Sequence, residues 1–399
     1  MPHYDIAIIG AGPAGSATAS LLAERGFAVL LVDRAAFPRT KPCGEYVSPE
    51  ARRLLDNLLG PGMLQSEQPA LLEGMRVVSP NGTSFKGHFT SAQRFNAYSD
   101  HGIALPRAIL DHHLVQAAKR RGVTVLERTA LVSLGPPTRS SRSLCLRQNR
   151  AQSNVTARLV VGADGLQSRV AKQLGLSRRG TLQRVALVTH ALGVAGMGSV
   201  GEMHVTGSGY VGLAPVGRGL TNVSVVADRR FVRGKSTEWF QRVISETPEV
   251  QRRLARAEYV APPRGAGPFA SRSRRASAER AVLVGDAADF YDPFTGEGVY
   301  AALRGADMLT SVAANLLESD RLGAADLAAY DRIRRKEFSG KWMLERIIAW
   351  AVGHPFALDH VARRLRSKPH LADLLVGVTG DFVPARQVLR PGFALQMVW

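Results

Sequence analysis

The chain has 399 residues, 45% apolar and 21% charged, which is enough for two packed domains or one large domain carrying an insertion. No apolar run is long enough to span a bilayer, because the longest, Ile347–Leu358, is interrupted by His354 and Pro355. Two cysteines, Cys43 and Cys145, exclude a disulfide framework and a four-cysteine iron–sulfur cluster, no metal site is expected, and a reducing cytoplasm fits this usage.

A strand pattern begins at Tyr4, so no signal peptide is expected ahead of it. Asp5–Ile9 reads as a short buried strand, followed at once by Gly10-Ala11-Gly12-Pro13-Ala14-Gly15, a helix over Ser16–Arg25 and a second strand over Phe27–Val32. This is a dinucleotide-binding βαβ unit in its required context. Gly10 permits the tight turn, Gly12 lets backbone approach a pyrophosphate, and Gly15 lets helix pack on strand. Asp33, followed by Arg34, stands where ribose hydroxyls are bound. Gly207–Gly212 fits the same glycine pattern, but strand-like sequence follows it, so it reads as a turn.

Gly74–Phe89 reads as a hairpin turning at Pro80-Asn81-Gly82, and Pro106–Arg121 as a helix with Arg107 at its start. Strands follow from Val123, and the buried strand Leu159–Val161 ends in Gly162-Ala163-Asp164-Gly165 before a helix over Arg169–Leu174. Val185–Ala227 alternates apolar segments with glycine-rich turns, as an antiparallel sheet would. The Arg272–Arg280 run is expected to be a flexible connector. Ala281–Val284 is an apolar strand delivering Gly285 and Asp286, and the loop Asp292–Gly298 opens a helix near Val299. An acidic residue and free helix-start N–H groups suit a polyhydroxy, anionic ligand. From Leu322 the chain is helical and basic, with Arg332–Lys341 expected on an exposed face.

Gly10–Gly15, Gly162–Gly165 and Val284–Ala288 together resemble the three flavin signatures of FAD-dependent enzymes with the para-hydroxybenzoate hydroxylase fold. Lys41-Pro42-Cys43-Gly44-Glu45 and Asp292-Pro293-Phe294-Thr295-Gly296-Glu297-Gly298 look like the geranylgeranyl reductase branch. Asp289 stands where the hydroxylases usually have His, and Tyr300 where they tend to have Asn. The resemblance implies an α/β fold. A discontinuous Rossmann-type FAD domain (1–73, 100–175 and 276–330) would carry an inserted antiparallel sheet domain (74–99 and 176–275) and a helical region over 331–399. It assigns FAD to Gly10, Gly12, Pro13, Ala14, Gly15, Asp33 and Arg34, to Cys43, Gly44 and Arg107, and to Asp164 and Gly165. At the flavin-ring end it assigns Gly285, Asp286, Pro293, Gly296, Glu297, Gly298 and Val299. Cys43, Tyr210 and Tyr291 are the candidate catalytic residues, each with packing as the competing reading. His190 and His204 read as satisfied sheet histidines.

Departures narrow the branch. Tyr210-Val211-Gly212-Leu213-Ala214-Pro215 keeps only the Tyr and Pro of the prenyl reductases' Tyr-x-Trp-x-Phe-Pro cavity motif, which argues against a long prenyl chain. The Trp-x-Trp pair of the flavin halogenases is absent, since Trp239, Trp342, Trp350 and Trp399 are isolated. The narrow expectation is reduction of a carbon–carbon double bond in a small hydrophobic metabolite of isoprenoid or polyketide type. An NAD(P)H-dependent monooxygenase acting on an aromatic or polyketide substrate is the alternative. With a single dinucleotide site, NAD(P)H is expected to bind only transiently. The net charge of +19, carried by scattered pairs such as Arg52–Arg53 and Arg363–Arg364, reads as a solvated surface. A third reading is a basic flavoprotein docking on an acidic carrier protein or membrane surface. Nucleic acid is not expected, since no binding motif is present.

Overall fold

The computed structural model describes every residue except Ser91, Gln93, Arg94, Thr181, Ala270, Arg274 and Trp399, together with the side chains of Arg179, Ser271, Arg272 and Val398. Two of the readings above, Arg274 in the expected connector and the isolated Trp399, fall outside the described residues.

The first sheet is built on strands whose central segments, Ile6–Ile9, Val29–Val32, Leu159–Val161 and Ala281–Leu283, are continuous apolar runs, the pattern of a sheet covered on both faces. Its parallel part runs Ala281–Leu283, Ala151–Gly162, His3–Ile9, Val29–Val32 and Thr124–Leu126. Thr129–Pro137 and Arg142–Gln148 add an antiparallel meander. Helices Pro13–Ala23 and Gly298–Glu318 pack on this sheet through Ala14, Ala17, Leu303, Ala306 and Leu309. Ligands of such sheets bind outside the carboxyl ends of the strands, where Gly10, Gly162 and Gly285 all lie.

The second sheet runs Arg184–Leu192, Leu220–Asp228, Gly209–Gly217, Val200–Val205, Gly74–Val78 and Ser84–His88. It is antiparallel except where Val200–Val205 meets Gly74–Val78. Successive side chains on a strand point to opposite faces, and here both faces are apolar. Leu187, Val211 and Val225 pack under helices Ser236–Ser245 and Pro248–Leu254 with Trp239 and Phe240. Val188, Tyr210 and Val226 face Val352, Leu358, Leu365 and Leu371 of the C-terminal helices.

Several expectations need correction. The boundary at 330/331 falls inside one helix, Ala324–Val352, which packs Leu327 and Phe338 on the first core and Val352 on the second. Its Arg332–Lys341 segment is not uniformly exposed, because Arg334 and the Lys341 ammonium are buried in ion pairs. Nor is the whole Arg272–Arg280 run a loose connector: Ser277–Ala278 forms a strand, Asp331 accepts from Ala276 N and Ser277 Oγ, and Arg280 is buried. Among the described residues, no helix is long and apolar enough to cross a membrane.

Candidate active site

The glycine turn is tight for steric reasons that can be stated atom by atom. Gly10 has φ +105°, and a Cβ there would lie 2.3 Å from Ala163 O. A Cβ on Gly15 would lie 1.8 Å from Gly10 O, so strand end and helix start touch backbone to backbone. Gly12, by contrast, faces open space flanked by two guanidiniums, with Arg39 Nη2 at 3.8 Å and Arg107 Nη2 at 4.0 Å from its Cβ position. The fully buried Asp111 holds both, through two bonds to Arg107 (2.8 and 2.9 Å) and one ion pair to Arg39 (3.0 Å). Burial opposes the Arg107 charge, but Asp111 outweighs it. Two fixed cations over helix-start N–H groups make an anion cradle.

Asp33 is fixed in turn by Ala11 N and Ala35 N, each at 2.8 Å. Asp164 Oδ2 caps the short helix Arg169–Gln173 by accepting from Arg169 N at 2.6 Å. Its other oxygen, Oδ1, and the buried Thr295 Oγ1 have no protein partner among the described residues. Buried polar atoms are normally satisfied, so an incoming polar group suits both. Lys41 reaches toward this end, 4.0 Å from Asp286 and 3.8 Å from the Cβ position of Gly165.

The Lys41–Glu45 segment turns on Glu45, a buried non-glycine residue at φ +60°. That conformation costs roughly 1–2 kcal/mol and is held by a network of hydrogen bonds. Glu45 Oε1 accepts from Arg107 N at the start of the helix Arg107–Arg120 (2.9 Å), while Oε2 meets His190 Nε2 (2.6 Å) and Asn222 Nδ2 (3.1 Å). Asn222 Nδ2 also donates to Cys43 O (2.8 Å), and Cys43 Sγ accepts from Glu45 N (3.4 Å). One carboxylate thus joins the first sheet's helix to the second sheet.

The Glu45 hydrogen bond raises the His190 pKa, with burial opposing it. A raised imidazole pKa adds stability that is complete below the unfolded value and lost as pH rises through the folded one. Wild-type melting temperature is therefore expected to fall from about pH 6 to about pH 9 more than that of His190→Asn. Parallel profiles for the two proteins would refute the tie.

The chain from Asp289 to Gly298 is held by three separate ion pairs. Asp289 pairs with Arg334. Asp292 pairs with Arg184 (2.6 Å), while its Oδ1 accepts from Tyr210 Oη (3.1 Å) and Phe294 N (3.0 Å). Glu297, just before the helix Gly298–Glu318, pairs with Lys341 (3.2 Å), which also pairs with Asp381. A cavity between this loop and the long helix is lined by Asp286, Tyr291, Asp292, Thr295 and Gly298 on one side and by Phe338, Trp342 and Glu345 on the other. Glu345 has no hydrogen-bond or ion-pair partner among the described residues. Burial first, then the charges of Glu297 and Asp292, push its carboxyl well above the usual carboxylate range, which favours its protonated form.

The sequence matches the model of a family described as FAD binding domain over residues 3–340. The chain belongs to this FAD-binding family. A digeranylgeranylglycerophospholipid reductase of Methanothrix thermoacetophila is 28% identical over 84% of this chain and 84% of its own. Two solved structures share the fold. One is a flavoprotein/dehydrogenase from Cytophaga hutchinsonii (TM-score 0.87, 20% identity, 99% and 98% of the two chains covered). The other is the flavin-dependent brominase Bmp2 (TM-score 0.83, 18% identity, 98% and 98% covered).

The residues fit FAD. Gly10, Gly12, Pro13, Ala14 and Gly15 form the cradle, and Asp33 closes it, while Arg34 is exposed beyond the strand end. Cys43 lies beside the Arg107 guanidinium, with Gly44 exposed next to it. Gly285 (φ +61°) and Gly296 (φ +73°) shape the loop against Ala14 and Tyr46, and Pro293, Gly298 and the buried Val299 complete it. Of the three catalytic candidates, Tyr291 lines the cavity. Tyr210 is corrected: only 1% exposed, it donates to Asp292, and burial followed by Asp292 pushes its phenol up, so it positions the loop rather than meeting substrate. Cys43 is half-buried. His204 is satisfied by Glu202 (3.0 Å). Glu202, His204 and Glu249 converge within 4.8 Å, but Arg76 and Arg253 already occupy these carboxylates, and Glu202 is held down to about 2.

Proposed function

We infer that this FAD-dependent oxidoreductase reduces a carbon–carbon double bond in a small hydrophobic metabolite of isoprenoid or polyketide type. The observation that carries the reading is Glu345, a carboxyl that faces the cavity bounded by the FAD loop with no hydrogen-bond or ion-pair partner among the described residues, and whose pKa burial pushes up. Saturating a double bond adds hydride to one carbon and a proton to the other. FAD, bound and reduced, supplies the hydride. The protein supplies the rest: Glu345 holds the proton, Phe338 and Trp342 offer apolar wall, and the helix start at Gly298 presents free N–H groups to negative charge. NAD(P)H, binding transiently, is the reductant in this reading. The likeness to the digeranylgeranylglycerophospholipid reductase supports it.

Chemically reduced enzyme is to be mixed anaerobically with short isoprenoid and polyketide alkenes and the products weighed. The expected product is two hydrogens heavier and oxygen-free, and Glu345→Gln is expected to slow the single-turnover rate by roughly 10²–10⁴-fold. Labelled oxygen incorporated from O₂ would establish the monooxygenase instead. An undiminished Glu345→Gln rate would remove the proton assignment.

A further inference from the structure

From Arg332 to His370 every acidic side chain is engaged away from the outer surface. Glu337 is bonded to Tyr300 and Arg304, Glu345 faces the cavity, and Asp359 is buried. The exposed charges of the same stretch, Arg332, Arg335, Lys336, Arg346, Arg363 and Arg366, are all basic. Among them the long helix shows Met343, Ile347 and Trp350, 54%, 48% and 56% exposed. These positions are i, i+4 and i+7, one stripe on one face. Past the corner at Gly353-His354, the helix Pro355–Ser367 opens with Phe356, 91% exposed. Scattered exposed hydrophobics need no explanation. Four large ones along one stripe and its corner, accompanied by cations and by no exposed acid, are a different pattern.

We propose that this outer face, from Arg332 to Arg366, docks on an anionic lipid bilayer. Met343, Ile347, Trp350 and Phe356 enter the acyl boundary while the arginines meet headgroup phosphates. The helix lies on the membrane and does not cross it. A lipid surface fits better than an acidic protein, because large apolar side chains this exposed gain most from hydrocarbon, and the surrounding cations are spread along the helices rather than gathered in one pocket. Glu345 and Trp342 face the cavity from the same helix turns that carry Met343 and Ile347 outside. The surface does not depend on the reaction inferred above: a protein that binds vesicles and reduces nothing keeps the one and loses the other.

The test is flotation of the FAD-loaded full chain with phosphatidylcholine vesicles, with and without phosphatidylglycerol. The wild type is expected to float with the anionic vesicles and to stay behind with the neutral ones. Trp350→Ser/Phe356→Ser and Arg332→Glu/Arg335→Glu/Lys336→Glu should each lower partitioning by on the order of tenfold or more, with flavin absorbance unchanged. Equal flotation on neutral vesicles, or wild-type flotation by both variants, overturns the proposal. Capture of a purified acidic acyl carrier protein without any vesicle binding also overturns it, in favour of a protein partner.

Discussion

Gly15→Ala is expected to yield a protein without flavin and with a lowered melting temperature. The added methyl would stand 1.8 Å from Gly10 O and 3.1 Å from Ala163 Cβ, and the nearest obstacle is backbone, which no rotamer change moves aside. The helix Pro13–Ala23 must therefore lift from the strand His3–Ile9, taking its free N–H groups out of the cradle. Overpacking of this kind costs roughly 1–3 kcal/mol, and more where main chain cannot shift. Gly12→Ala separates fold from cofactor. Its φ of −73° suits alanine and its Cβ position is clear of protein atoms within 3.8 Å, so that methyl strains nothing and only fills the cradle. Flavin absorbance relative to protein, and melting of the flavin-free forms, check the pair. Gly15→Ala with full flavin content would contradict the packing argument, and Gly12→Ala with full content would contradict the cradle.

Lys341→Met is expected to destabilise the protein by about 3–5 kcal/mol, the range for breaking a buried ion pair from one side. Lys341 serves Glu297 and Asp381 and lies 4.4 Å from the centroid of the Tyr300 ring. Burial works against its charge, but Asp381 and Glu297 outweigh that and raise its pKa. Burial pushes the Asp381 carboxyl up to about 7, and Lys341 opposes the rise. Without the ammonium, two carboxylates face each other with nothing between them, and Glu297, just ahead of the helix Gly298–Glu318, loses its anchor. FAD retention should therefore fall together with stability. Lys341→Met/Asp381→Leu should recover part of the loss, because removing both members leaves less uncompensated charge. Denaturant titration of the three proteins reads the effect, and a single variant within about 0.5 kcal/mol of wild type would show the pair to be dispensable.

Features encoded locally were legible in the sequence. The first βαβ unit, the hairpin at Pro80-Asn81-Gly82 and the turn at Gly207 all follow from glycine, proline and apolar spacing within a few residues, and the structure has them. Arg107 and Asp111, four apart on one helix, are a pair that their spacing alone makes readable. Arg39, Arg184, Arg334, Lys341 and Glu345 were not readable as site residues. The four cations meet their partners across tens of positions or more, as Arg184 meets Asp292, and Glu345 reaches the cavity from a helix far along the chain; no periodicity marks a contact that only the tertiary fold creates. The role of Tyr210 is not legible in the sequence for a related reason. Its place on a sheet strand was clear, but an apolar face is equally suited to lining a pocket and to packing under helices.

The helix Ala324–Val352 has 29 residues, about 43 Å at 1.5 Å per residue, and it is embedded in both cores. Its consequence concerns modularity. The second sheet cannot be cut out as an exchangeable cassette at its own strand ends, because one of its faces is completed by residues that arrive more than a hundred positions later. A chimaera that borrows this sheet to change substrate must also borrow the chain from about Ala324 to Thr379, or leave Val188, Tyr210 and Val226 in water.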